Sequence, residues 1–155
     1  MNEHFLREAI RLSGEGMAGG YGGPFGAVVV RDGEIVGRGF NRVTSSNDPT
    51  AHAEIVAIRD ACARLETFTL AGCEIYASCE PCPMCLAAIY WSRIERLYYA
   101  AAREDAAAAG FDDAQFYAEL ALPPSARSLQ AVQALRAEAL TPLRKWGEIP
   151  NRIGY

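Results

Sequence analysis

Between Phe25 and Ala102 the sequence period changes repeatedly, and the order of the changes restricts the fold more than any other feature. "FGAVVVRDGEIVGRGFN" reads as two strands joined at Asp32-Gly33, a dipeptide that favours a tight hairpin turn. "TSSNDPTAHAEIVAIRDACARL" follows with turn residues and then helical spacing, and Asp48-Pro49 predicts the helix start. "CEIYAS" predicts a short strand, "EPCPMCLAAIYWSR" a helix opening between Pro81 and Pro83, and "IERLYYAAA" a further strand. Two strand–helix–strand steps require that part of the sheet be parallel, with helices covering its faces. Trp91 and the Tyr98-Tyr99 pair are expected in the core.

The flanks are simpler. Phe5, Leu6, Ala9, Ile10 and Met17 recur at helical spacing, so residues 3–17 predict an amphipathic helix. The glycines of "GGYGGPFG" lack the Lys-Ser or Lys-Thr of a phosphate-binding loop and read as a connection into a strand. Beyond Asp105 the pattern weakens. Residues 112–121 predict a short helix, "SLQAVQAL" a strand or a helix, and 137–149 a helix. With 155 residues and no repeat or linker, the expectation is one domain, 1–155.

Three of the five cysteines crowd into "SCEPCPMC", Ser78 to Cys85. The start "MNEHFLREAIRL" carries Glu3 and Glu8 where an export signal would be basic and then apolar, and "FGAVVV" is too short to span a bilayer. The expected compartment is therefore the cytoplasm. There, clustered thiols are more often metal ligands or catalysts than disulfides, and an odd count argues the same way. Cys82 and Cys85 are spaced C-x-x-C at a helix start, where both can reach one ion and free N–H groups favour thiolates. A redox pair of thioredoxin type is the weaker alternative. Cys79 reads as a supporting thiol, and Cys62 and Cys73 as small buried hydrophobes.

"TAHAE" supplies the missing half. His52 and Glu54 would face apart in mid-helix, but near a helix start both can enter one pocket. His52, Cys82 and Cys85 are three protein ligands, which leaves zinc a fourth position for water, as in a catalytic site. Glu54 would then carry protons between that water and a leaving group. His52-Ala53-Glu54 with Pro81-Cys82-Pro83-Met84-Cys85 is the H-x-E and P-C-x-x-C signature that the zinc nucleobase deaminases serve to illustrate.

On these motifs the chain resembles the cytidine deaminase superfamily. The resemblance implies a three-layer α/β/α fold with a mixed five-stranded sheet, one Zn2+ per subunit, and hydrolytic release of ammonia. "GGPFGAVVV", "NDPTAHAEIVAIR", "SCEPCPMCLAAIYW" and "AGFDDAQFY" extend the likeness to the bacterial guanine deaminases. That branch implies a reaction in which zinc-bound hydroxide attacks ring C2 of guanine to give xanthine. It implies substrate contacts from Phe25, Asn41, Ala53, Asp113 and Tyr155, with Asp113 also moving protons. It further implies a homodimer that exchanges C-terminal segments, about 137–155, so that Tyr155 serves the partner's site.

Rival readings remain at this level. A tRNA adenosine deaminase would share the zinc motifs, but the net charge of −4 is poor for nucleic-acid binding. A deaminase of cytosine or an aminotriazine would also share them. A structural zinc module would need a fourth protein ligand, with Cys79 the nearest candidate. The expected partner is a small purine base, with neither nucleic acid nor membrane involved.

Overall fold

A computed structural model describes residues 1–154, in which the chain forms two compact units divided between Asp113 and Ala114. The first unit is built on a four-stranded sheet: β1 (Gly26–Arg31), β2 (Glu34–Phe40), β3 (Cys73–Cys79) and β4 (Arg96–Ala101). The spatial order is β2-β1-β3-β4. β1 is antiparallel to both β2 and β3, and β3 is parallel to β4. Asp32 (φ 52°) and Gly33 (φ 80°) make the hairpin turn with two left-handed residues, as the Asp-Gly pair predicts.

Alternation along the central strands divides the core. Ala27, Val29 and Ile75 face helices α3 (Ala53–Leu65) and α4 (Pro83–Trp91). Val28, Val30 and Tyr76 face α1 (Glu3–Ala18). Both faces of β1 are covered, which is why its sequence is an unbroken apolar run rather than an alternating one. Helix α1 buries Phe5, Ala9, Leu12 and Gly16, a stripe set by its spacing of three and four; Ile10 and Met17, expected inside, are exposed.

One packing detail positions the site. Gly37 and Gly39 of β2 lie against α3, and a Cβ on Gly39 would strike the backbone of Ala53 and Ala57. On the helix side, Ala53, Ala57 and Ala61 repeat every fourth residue and are buried. Glycine against alanine lets the helix backbone approach the strand, which fixes where the N-terminus of α3 emerges.

Helix α3 starts at Ala53, later than Asp48-Pro49 predicts. Asp48 instead accepts hydrogen bonds from the backbone and hydroxyl of Thr50, forming a local turn after the short helix α2 (Val43–Ser46). Helix α5 (Arg103–Ala108) follows β4. The second unit holds α6 (Ala114–Ala121), a single 3₁₀ turn (Pro124–Ala126) and α7 (Arg136–Glu148).

The expected fifth strand is absent among the described residues. The segment 128–135 joins no ladder, and its Val132 is 90% exposed. A fifth strand in this sheet needs a partner edge, and no such pairing forms. Two aromatic assignments also change. Tyr98 stacks on Tyr76 at 4.7 Å between ring centroids, but Tyr99 and Trp91 are exposed, the latter by 65%. No helix among the described residues is long and apolar enough to cross a membrane.

Candidate metal centre and active site

His52 is the N-cap of α3 and Cys82 the N-cap of α4; both have extended backbones, with φ −67° and −64°. Pro83 occupies the first helical position, where its missing N–H leaves no bond unmade, and Cys85 follows one turn from the cap. The two helix starts converge. Nδ1 of His52 is 3.5 Å from Sγ of Cys82 and 3.5 Å from Sγ of Cys85. Each of the three donors lies within 4.8 Å of the others. A tetrahedral zinc with ordinary Zn–S and Zn–N bonds requires S···N edges of about 3.5 Å. Two thiols and an imidazole nitrogen at that spacing fit the ion, and no further donor among the described residues joins the cluster. Cys79 stays outside it, because its thiol is directed to the carbonyl of Ala102 at 3.5 Å.

The N-terminal part of the chain matches a known family. Residues 1–101 match the cytidine and deoxycytidylate deaminase zinc-binding region. This chain belongs to that family. The guanine deaminase of Bacillus subtilis (strain 168) is 50% identical over 154 residues, which cover 99% of each chain. The X-ray structure of guanine deaminase from Bacillus subtilis superposes with a TM-score of 0.96, at 51% identity, covering 100% of this chain and 99% of that one. A tRNA-specific adenosine deaminase of Aquifex aeolicus is 46% identical over 99 residues, covering 64% of this chain and 65% of that protein.

The electrostatics suit a deaminase-family site. The Cys82 thiol is lowered to about 4 by a hydrogen bond from Cys85 and another from His52, against the cost of burial. Cys85 is pushed up, first because its proton is held by Cys82 and then by burial. The hydrogen bond between the two sulfurs lowers one thiol and raises the other, and zinc must displace the shared proton to bind both. His52 is raised by its bond to Cys82, while burial opposes.

Glu54 is only 7% exposed, and burial holds its carboxyl above the usual carboxylate range, with its own helix-start N–H opposing. An acid displaced upward and set beside the metal donors is suited to proton transfer near neutral pH. Asp113 is also raised, by burial first and then by the Cys82 thiolate, so its carboxylate lies within electrostatic reach of the donor cluster.

Of the remaining predicted residues, Asn41 and Phe25 lie on loops and Ala53 opens α3. Asn41 is buried, and its Oδ1 accepts from the backbone N–H groups of Gly23 (3.3 Å) and Val43 (3.1 Å). Its carbonyl end is thereby used to join two loops, and the NH2 end is left to donate elsewhere. Ala53 is buried as the first residue of α3, between His52 and Glu54. Phe25 precedes β1 and meets the Phe111 ring edge-on, with centroids 4.9 Å apart. Tyr155 lies outside the described residues.

Sequence reasoning missed three contributors. Ser78 is buried and accepts from the Gly26 N–H at 2.9 Å, fixing the strand entry beside Phe25. The Gly37–Gly39 seam and the partner of Phe25, Phe111, were also unassigned. Alanines at every fourth helical position opposite alternating glycines are a readable signal for the seam. Nothing local marks Ser78 or Phe111.

A separate groove of about 610 Å3 is lined by Arg38, Arg42, Asp48, Arg59, Asp60 and Arg64. It contains none of the three donors.

Proposed function

We propose that this chain is a zinc-dependent guanine deaminase, converting guanine and water to xanthine and ammonia. The observation that carries the reading is the reach of the likeness. The match to the Bacillus subtilis guanine deaminase runs over 154 residues, through "AGFDD" and into the tail, whereas the tRNA-specific adenosine deaminase of Aquifex aeolicus matches over 99. The net charge of −4 also disfavours a surface for RNA phosphates.

His52, Cys82 and Cys85 would hold Zn2+, one ion per subunit, which supplies Lewis-acid activation of water. Glu54 is the proton carrier. Its carboxylate accepts one proton from the attacking water and passes it to a ring nitrogen of guanine, then takes the remaining proton of the added hydroxyl and delivers it to the amine as the C–N bond breaks and the C2 carbonyl forms. Asn41 donates from its amide to the purine, Phe25 forms an apolar wall for the ring, and Ala53 lines the floor at the helix start. Asp113 contacts the base and assists proton movement. These neutral and hydrogen-bonding groups suit an uncharged purine.

Residues 1–155 act in this reading as one deaminase in the cytoplasm. It works as a homodimer, with segments from about residue 137 exchanged so that Tyr155 closes the partner's pocket. The test incubates purified protein with guanine, adenine, cytosine, an aminotriazine, the nucleosides and an adenosine-bearing tRNA stem-loop, measuring ammonia. Guanine should be turned over fastest; turnover of the stem-loop without guanine would overturn the assignment.

A further inference from the structure

We propose that Phe111 is a positioning residue, an aromatic peg whose edge-on seat against Phe25 holds the loop bearing Asp113 at the active site; this rests on the guanine deaminase reading.

The two rings meet at an interplanar angle of 86° with centroids 4.9 Å apart, a favoured edge-to-face geometry. Phe25 is the fixed member. Its carbonyl accepts from Asn41 N–H at 3.0 Å, its N–H donates to Gly23 at 2.8 Å, and the next residue is held by buried Ser78. Phe111 is the added member. It is 43% exposed, so its ring is not a core element, yet it sits against both Phe25 and the Gly23 backbone. A Cβ on Gly23 would lie 3.0 Å from the tip of Phe111 and 3.1 Å from Phe25, so glycine there keeps the slot open.

Helix α5 ends in a left-handed Gly110 (φ 92°), and Phe111 N–H bonds back to Ala106 at 2.9 Å. Asp113 is only two residues beyond the ring, about 7 Å of extended chain at most. Pinning the ring therefore limits where the carboxylate can go. An apolar cavity of about 330 Å3, lined by Phe25, Phe111, Cys79, Ala101 and Ala106 among others, adjoins the pair. With open space on one side of the ring, the edge-on seat against Phe25 is a contact that restrains it.

The experiment compares wild type, Phe111→Ala, Phe111→Leu, Asp113→Asn and the double variant Phe111→Ala/Asp113→Asn, all zinc-loaded. Phe111→Ala should lower kcat/KM for guanine by roughly ten- to a hundredfold, mainly through kcat, as expected for a misplaced group. Phe111→Leu should recover part of the loss. In the Asp113→Asn background Phe111→Ala should add less than about threefold, because the two act through one group. Amide hydrogen exchange should rise at 109–113 in Phe111→Ala and stay unchanged in α3 and α4.

Multiplying losses in the double variant, or unchanged exchange at 109–113, would overturn the proposal. The exchange measurement needs no turnover, so it stands even if wild type fails on guanine, which would overturn the function instead. If Phe111→Ala does not fold, Phe111→Leu carries the same comparisons.

Discussion

Replacing Glu54 by Gln separates its chemical role from its cost to the fold. The residue is almost fully buried, beside the metal donors and in hydrogen-bond contact with Cys85. Gln keeps the shape and the acceptor oxygen but cannot carry a proton. Each turnover needs at least two proton movements, and a positioned acid–base group is worth about 10²–10⁴ for such work. Loss of the shared carrier should therefore lower kcat by roughly 10⁴-fold, about 5.4 kcal/mol on the barrier. Zinc content should be unchanged, since Glu54 is not a ligand. The same substitution should stabilise the metal-free protein. Burial raises the folded carboxyl above its ordinary 4.5, so the folded state holds that proton more tightly than the unfolded state. The penalty for ionising it is absent below about 4.5, grows as pH rises from there toward the raised folded value, and is fully present above it. Metal-free Glu54→Gln should thus melt above metal-free wild type at pH 8, with the gap closing toward pH 4.5. Ammonia release, zinc analysis and thermal melts at several pH values test all three points. Activity within tenfold of wild type would refute the assigned role, and a gap that widens on acidification would refute the electrostatic account.

Chelation should lower Tm and make it depend on zinc concentration, because the ion binds the folded site and not the open chain; a Tm indifferent to chelator would contradict the metal centre. Cys82→Ser and Cys85→Ser should each lose zinc on dialysis, while Cys79→Ser, whose thiol faces Ala102, should keep it. Gly39→Ala should cost about 1–3 kcal/mol, since its Cβ would meet the Ala57 N at 2.5 Å, and should lower activity beyond the stability loss by moving the start of α3. A thermal melt and zinc analysis would check it, and an unchanged Tm would refute the close-packed seam.

What could be read from the sequence was whatever a local rule encodes. The Asp32-Gly33 hairpin, the buried run of β1, and the start of α4 at Cys82-Pro83 follow from turn chemistry, periodicity and the preference for proline in the first helical turn. The metal ligands were legible for the same reason, as two short motifs each tied to a helix N-terminus. Errors arose where a local signal had two outlets. Asp48-Pro49 can start a helix or make an Asx turn, and hydrogen bonds to Thr50 decided for the turn. Trp91 and Tyr99 are large enough to suggest core, yet each faces outward at the end of its element or on the edge strand. The residues that no local rule finds are those defined by pairs distant in sequence: Gly39 with Ala53, Ser78 with Gly26, Phe111 with Phe25. In the proposed reading these pairs also aim the chemistry. The zinc motifs provide the donors wherever the two helices begin, but a glycine seam decides where α3 begins in space. In the proposed reading, Ser78 and Phe111 then hold the loops around the base. Substitutions at those silent positions should therefore alter turnover while leaving every recognisable motif intact.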